Sequence, residues 1–460
     1  MQLFGTSGIR RVVGKELIQL ALKVGLAVGK VYGGVAVGSD TRTSSEAMKY
    51  AFICGLLAAG SKGYDAGVIP TPTLAFATRE FDAGAMITAS HNPPEYNGIK
   101  LLNPDGSAFG SDQQNQIEGM ILDDSLSVAV WDKINSSSLY SGAVERHIER
   151  ILRDFPGELK LKVVLDCGCG AASVVTPYLL RKLGCAVVTL NCYPSGFFPH
   201  AIEPTESNLG DLVRATREFG ADLGIAHDGD GDRMMAVDDK GRFIPGDKLL
   251  ALFSQDTEAK EVVTTIDASM AIDEMGFNVT RTRVGDNYVS EELKKGGDFG
   301  GEPSGSWVFP HISLCPDGVY AAARLVAIAS RQKLSVLVDS IPRYPLLRGN
   351  VSSEGVVMSK LERQLKAVIA IVARDNTYEA MLTNIKEIKA RKSPLMALAE
   401  EGDEAIRELA DFVITVPRVD ALFSPVVNVI ALQLLAYYTA KERGCPIDFP
   451  RNLAKSVTVE

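Results

Sequence analysis

No stretch of this sequence is long and apolar enough to span a bilayer. The longest apolar run near the C-terminus, "PVVNVIALQLLAYY", carries Asn428 and Gln433 and falls short of the ~20 residues that a spanning helix needs. It reads as a buried helix. The N-terminus, "MQLFGTSGIRRVVG", lacks the apolar region of a signal peptide. A cytoplasmic protein with no membrane partner is therefore expected. Basic charge is also lacking: the net charge is -9, which argues against a nucleic-acid partner but leaves room for local basic pockets that hold phosphorylated metabolites. The seven cysteines lack the paired spacing of a disulfide framework, and Cys167 and Cys169 in "CGC" stand too close for a zinc knuckle. The thiols are expected to be reduced and mostly in the core.

The composition that remains, 46% hydrophobic and 23% charged over 460 residues, is that of a soluble globular chain too long for one core. An α/β rhythm runs through it. "VAVGSD" reads as a short buried strand, "SSEAMKYAFICGLLAAG" as a helix, and "GYDAGVIP" and "AGAMITAS" as strands. The rhythm restarts at "LKVVLDCGCGAASVVTPYLLRKLGCAVVTLN" and again through "KEVVTTIDAS" and "GGDFGGEPSG". Alternation at this spacing predicts parallel sheets covered on both faces. Restarts after polar or Gly/Pro-rich stretches divide the chain into α/β domains at 1–150, 151–245 and 246–350. A junction at 351–365 leads to a further α/β block at 366–460, with no low-complexity linker before it.

The strongest local signal is "HDGDGDR". Asp228, Asp230 and Asp232 stand at every second position, with Gly229 and Gly231 between them. Glycine lets the backbone curl until three carboxylates converge, a donor set for a hard divalent cation, Mg²⁺ first. A calcium loop is excluded, because its sixth and twelfth positions would be Arg233 and Asp239 rather than Gly and Glu. Without a cation the three carboxylates repel one another. Arg233 beside them suggests that an anion shares the site.

Three weaker signals accompany it. In "ITASHNPPEYNGIK" an apolar run ends in Ser90 and His91, followed by Pro93 and Pro94. This is either an ordinary turn or a reactive serine on a stiff loop. "FGGEPSG" sets Glu302 and Ser304 among glycines, where they could reach sugar hydroxyls or form a plain turn. "FGTSGIRR" offers flexible amides beside Arg10 and Arg11, a possible nest for phosphate. Together these are the parts of phosphoryl transfer through a phosphoserine, with Lys100 or His91 as the group that moves the hydroxyl proton.

"FGTSGIRR", "TASHNPPEYNGIK", "DGDGDR" and "GGEPSG" occur in the order seen in the α-D-phosphohexomutases, and residues 1–360 resemble that family. The resemblance implies three consecutive α/β/α mutase domains and an intramolecular phosphotransferase that interconverts hexose 6- and 1-phosphates through a bisphosphate. It implies that Ser90 carries the phosphate, and that Asp228, Asp230, Asp232 and a phosphoserine oxygen hold Mg²⁺. Arg10 and Lys100 would assist proton transfer and charge stabilisation, Arg233 would lie in the site, and Glu302 and Ser304 would hold sugar hydroxyls. A sugar bisphosphate would serve as activator. The family's fourth domain, with an Arg-Pro-Ser-Gly-Thr-Glu-Pro-type loop for the non-reacting phosphate, has no counterpart motif in this sequence. Residues 366–460 instead resemble the end of the isomerase half of glucosamine-6-phosphate synthase, a partial SIS-like segment, through "NIKEIKAR" and the tail "PRNLAKSVTVE". That second resemblance implies glucosamine as the hexose, a homodimer as a candidate assembly, and Lys455 as a relic contact to an open-chain sugar. The alternatives are a catalytically impaired relic that binds Mg²⁺ and sugar phosphate, and an aldose–ketose isomerase carried by the C-terminal segment.

Overall fold

In the computed structural model the chain forms two compact units, Met1–Leu346 and Leu347–Glu460. The structure describes residues 3–5, 8–122, 126–342, 368–375, 377–390, 395–420 and 423–442. Lys455, the "PRNLAKSVTVE" tail, the 351–365 junction, and Thr6 and Ser7 of the first motif lie outside them.

The first unit contains three sheets in succession, of six, five and four strands. The first joins, in spatial order, Ile9–Val12, Tyr96–Leu102, Ala83–Ile87, Gly34–Ser39, Lys62–Val68 and Ser137–Leu139. The second runs Phe243–Ile244, Met234–Val237, Leu223–His227, Lys162–Asp166 and Ala186–Leu190, and the third Asn278–Thr282, Glu261–Thr265, Phe299–Glu302 and Ser306–Val308.

The expectation of parallel sheets holds only for part of each. Ala83–Ile87 pairs antiparallel with Tyr96–Leu102, Leu223–His227 with Met234–Val237, and Phe299–Glu302 with Ser306–Val308. The reason is chain length, since a parallel crossover needs roughly a dozen residues and the connections 88–95, 228–233 and 303–305 are shorter. Each connection therefore closes a hairpin at the end of a buried strand. These three hairpin ends carry "ASHNPP", "DGDGDR" and "PSG", so one topological device presents all three motif loops.

The second and third sheets share one core, in which Leu165, Ile225, Phe253, Trp307 and Leu325 are all fully buried. The first sheet has its own core around Val35, Phe52, Ala85 and Ile87. The thiols follow expectation in part: Cys167, Cys185 and Cys315 are buried, whereas Cys54 is exposed.

The second unit is a parallel three-stranded sheet of Val368–Val372, Leu395–Glu400 and Phe412–Val416. Helices Tyr378–Ala390 and Glu404–Leu409 connect the strands, around a core of Val372, Ile385, Leu395, Ala397 and Ile406. The apolar run near the C-terminus forms the helix Ser424–Glu442, but it is not buried as expected. Val426, Ile430, Leu434 and Tyr438 remain more than half exposed, because a sheet only three strands wide covers one face of so long a helix. No described helix is long and apolar enough to cross a membrane.

Candidate active site

The strand Ala83–Ile87 is buried along its whole length and runs directly into the serine loop. Ser90 adopts a φ of 50°, a left-handed conformation that non-glycine residues hold only when surroundings impose it. Here they do. Its N–H donates to Thr88 Oγ1 at 2.8 Å. The guanidinium of Arg42, only 3% exposed, donates to the carbonyls of Ser90 (2.8 Å), Asn92 (2.6 Å), Pro93 (2.6 Å) and Tyr96 (3.0 Å). Arg42 Nε is held in turn by Asp40 Oδ2 at 3.0 Å, and Asp40 also accepts from the hydroxyls of Ser45 and Thr88. Burial pushes the Asp40 carboxyl above its ordinary range, against the pull of Arg42 and these donors. Sequence reasoning did not find Arg42. Its only signal is an Asp-x-Arg that begins at the last residue of "VAVGSD", a pattern that a solvated turn also carries.

Ser90 Oγ donates to Asp228 Oδ2 at 2.7 Å. Asp228, Asp230 and Asp232 are buried, and each offers an oxygen within 4.8 Å of the others. Asp230 Oδ1 and Asp232 Oδ1 are buried without a hydrogen-bond partner. Burial first, then the neighbouring Asp230 and Asp232, pushes the Asp228 carboxyl well above its usual range. Orphaned buried carboxylate oxygens aimed at one point fit a divalent cation. The expected backbone freedom shows at Gly231, with a φ of 71°; Gly229 supplies space instead, since a Cβ there would lie 2.7 Å from the Ser90 carbonyl oxygen. Thr71 Oγ1, on the first sheet's helix Thr71–Thr78, fixes Asp230 Oδ2 at 2.5 Å.

The other predicted residues gather around this centre. His91 Nδ1 lies 3.4 Å from Ser90 Oγ. Burial, with the nearby Arg233 and Arg10 charges, pushes its pKa down to about 3, so the ring is neutral at pH 7. Arg10 donates to Asn92 Oδ1 at 3.1 Å. Arg233 gives its backbone N–H to Asp228 Oδ1 and its guanidinium to Glu203 Oε1, both at 3.1 Å. Lys100 does not bond to Ser90. Its ammonium lies 2.9 Å from Asp232 Oδ2 and 3.2 Å from Asp286 Oδ2. Burial opposes its charge, but the two carboxylates outweigh burial and hold its pKa well above the usual lysine range. Asp286 was not legible in the sequence, where it reads as an ordinary helix-start residue.

The third loop meets the second through backbone contacts. Met234 N–H donates to the Gly305 carbonyl at 2.9 Å, and Arg233 bridges Ser306. Glu302 Oε1 accepts from the Gly285 N–H at 2.7 Å, while the exposed Ser304 places its Oγ 3.5 Å from Glu302 Oε2.

Burial, then the charge of Asp286, pushes Glu302 from its ordinary 4.5 up to about 7. A carboxyl raised on folding binds its proton more tightly in the folded state. Its contribution to stability is thus fully present below pH 4.5 and lost as pH rises through about 7. Glu302→Gln is therefore expected to match the wild type near pH 5 and to exceed it at pH 8 by up to ~3 kcal/mol. Urea unfolding at the two pH values measures this, and a pH-independent difference would refute it.

Three α/β layers that bring a strained serine, a triple-carboxylate pocket and a Gly-framed polar loop to one place define a class of phosphoryl-transfer proteins. Residues 1–127, 145–241 and 245–344 match the phosphoglucomutase/phosphomannomutase alpha/beta/alpha domains I, II and III. The chain belongs to the phosphoglucomutase/phosphomannomutase family. A protein of Methanococcoides burtonii described as a probable phosphoglucosamine mutase is 46% identical over 432 residues, covering 90% of this chain and 99% of that protein. One of the same description from Methanocella arvoryzae is 52% identical over 357 residues, covering 76% of this chain and 81% of that protein. A crystal structure of a phosphoglucomutase/phosphomannomutase family protein from Burkholderia thailandensis superimposes with a TM-score of 0.68 at 30% identity, over 74% of this chain and 80% of that one. A match over 90% of the chain is longer than the first unit and reaches into the second.

Proposed function

We propose that this protein is a hexose-phosphate mutase that interconverts glucosamine 6-phosphate and glucosamine 1-phosphate through a phosphorylated Ser90 and a bisphosphate intermediate. The observation that carries the reading is Ser90 Oγ at 2.7 Å from Asp228, within a pocket of three buried carboxylates. The mutase class follows from the family, and the choice of glucosamine rests on the relatives' described activity and on the synthase-like tail.

In this reading phosphoserine 90 gives its phosphoryl group to the free hydroxyl of the sugar phosphate. The resulting bisphosphate turns over and returns its other phosphoryl group to Ser90 Oγ. Arg42 keeps the serine backbone in place throughout. His91 lies beside Ser90 Oγ and can hydrogen-bond there as a neutral ring, whereas Lys100, held charged, is suited to neutralising phosphoryl oxygens. Arg10 and Arg233 add cationic charge at the same place. Glu302 and Ser304 offer acceptors and a hydroxyl to the sugar ring. Mg²⁺ held by Asp228, Asp230, Asp232 and a serine-phosphate oxygen would supply the charge neutralisation that phosphoryl transfer requires.

Turnover of glucosamine 6-phosphate with Mg²⁺ and a sugar bisphosphate tests the reading, together with the intact mass of the chain. No turnover and an unphosphorylated Ser90 would sink it. Mg²⁺ alone is expected to raise the unfolding temperature by a few degrees over an EDTA control, since ligand at 100 times its Kd stabilises by about 2.7 kcal/mol. Asp230→Asn should abolish that shift; an equal shift in the variant would remove Asp230 from the ligand set.

For the second unit we propose a partial SIS-like segment over 366–460. The support is the sequence likeness of "NIKEIKAR", of which residues 384–390 lie on a helix between parallel strands; the reach of the relatives' match into this unit stands against reading all of it as foreign.

A further inference from the structure

Lys100 lies on the strand Tyr96–Leu102 of the first sheet and Glu302 ends the strand Phe299–Glu302 of the third, and one dipeptide touches both. Asp286 Oδ2 accepts from Lys100 Nζ at 3.2 Å. The preceding residue, Gly285, donates its N–H to Glu302 Oε1 at 2.7 Å. Gly285 has a φ of 140°, and a Cβ there would lie 2.8 Å from Asn287 Oδ1, so the turn depends on glycine. Behind the turn, Asp286 opens the helix Asp286–Leu293, where Ser290 Oγ reaches the carbonyls of Asp286 (2.9 Å) and Leu314 (2.7 Å). The segment thus has a firm rear, and its front contacts both Glu302 and Lys100.

We propose that Gly285–Asp286 is a relay that couples sugar binding at Glu302 to the placement of Lys100, with Asp286 as a positioning residue. The proposal rests on the mutase reading, in which Glu302 binds sugar hydroxyls. A hydroxyl that donates to Glu302 Oε1 shares that oxygen with the Gly285 N–H and weakens its bond. Weakening of that bond loosens the turn that presses Asp286 against Lys100. The ammonium then keeps Asp232 alone and can swing toward the serine loop. Empty and sugar-loaded sites thereby hold Lys100 differently. The charge on Asp286 is essential, because an uncharged amide cannot hold a buried ammonium with comparable strength.

The test uses the full chain and two independent readouts. Asp286→Asn, nearly isosteric, is expected to lower kcat at least about tenfold, while the calorimetric Kd for glucosamine 6-phosphate changes less than about threefold. Asp286→Glu should recover part of kcat. The second readout is binding alone: Glu302→Ala and Lys100→Met should affect that Kd non-additively by at least about fivefold, and additively once Asp286→Asn is also present. A kcat within twofold of wild type in Asp286→Asn would overturn the relay. If the wild-type chain binds the sugar phosphate but does not turn it over, the mutase reading falls, and the relay stands or falls on the binding cycle, with additive effects refuting it.

Discussion

Ser90→Ala is expected to abolish conversion of glucosamine 6-phosphate, by at least ~10⁴-fold, while leaving the Mg²⁺-dependent thermal shift largely in place. The side chain supplies the atom that carries the phosphoryl group, and among the described residues no other hydroxyl bond to Asp228 is seen. The loop should survive, because it is held from behind: Arg42 grips four of its carbonyls and Thr88 takes the Ser90 N–H. The local loss is one hydrogen bond to Asp228 Oδ2, worth about 1–3 kcal/mol, and a bound cation would satisfy that oxygen. Steady-state assays and thermal melts with and without Mg²⁺ separate the two effects. Full activity in the variant would end the phosphoserine mechanism; loss of the Mg²⁺ shift would show that the hydroxyl, not the loop, organises the carboxylates.

Arg42→Met should have the largest effect on stability, a loss of ~3–5 kcal/mol, because removing one member of a buried ion pair leaves the other uncompensated. Asp40, in a buried contact, would lose its charge partner, the buried Ser90 carbonyl would lose its donor, and so would the part-buried carbonyls of Asn92, Pro93 and Tyr96. The left-handed Ser90 would then relax, so activity should fall further than stability alone explains. Arg42→Lys should not restore it, since one ammonium with three donors cannot reproduce a planar fork that reaches four carbonyls and a carboxylate. Urea unfolding and turnover of both variants measure this. A lysine variant within ~1 kcal/mol of wild type would mean that the loop is held by something other than the guanidinium.

Much of the site was legible because its chemistry is local. Alternating Asp and Gly states both the donors and the backbone freedom they require, and the left-handed φ of Gly231 is the physical form of that requirement. The three motif loops could be ordered along the chain and assigned to separate α/β layers from strand–helix rhythm alone. The antiparallel ends of the sheets were also present in the sequence, as connections too short for a crossover, although alternation by itself pointed to parallel pairing. The fate of the long apolar helix was not present there, since apolar composition states what a helix could bury and not how wide a sheet it meets.

By itself, then, the sequence determined which residues could carry phosphate, metal and sugar, since each depends on residue type and near-neighbour spacing. Only the tertiary structure decided what each side chain faces. Lys100 turns to Asp232 and Asp286 rather than to Ser90, and Arg42 and Asp286 become site residues through contacts between segments far apart in the chain. Those contacts exist because three hairpin ends converge over packed cores, and a buried charge acquires its partner only when that packing closes.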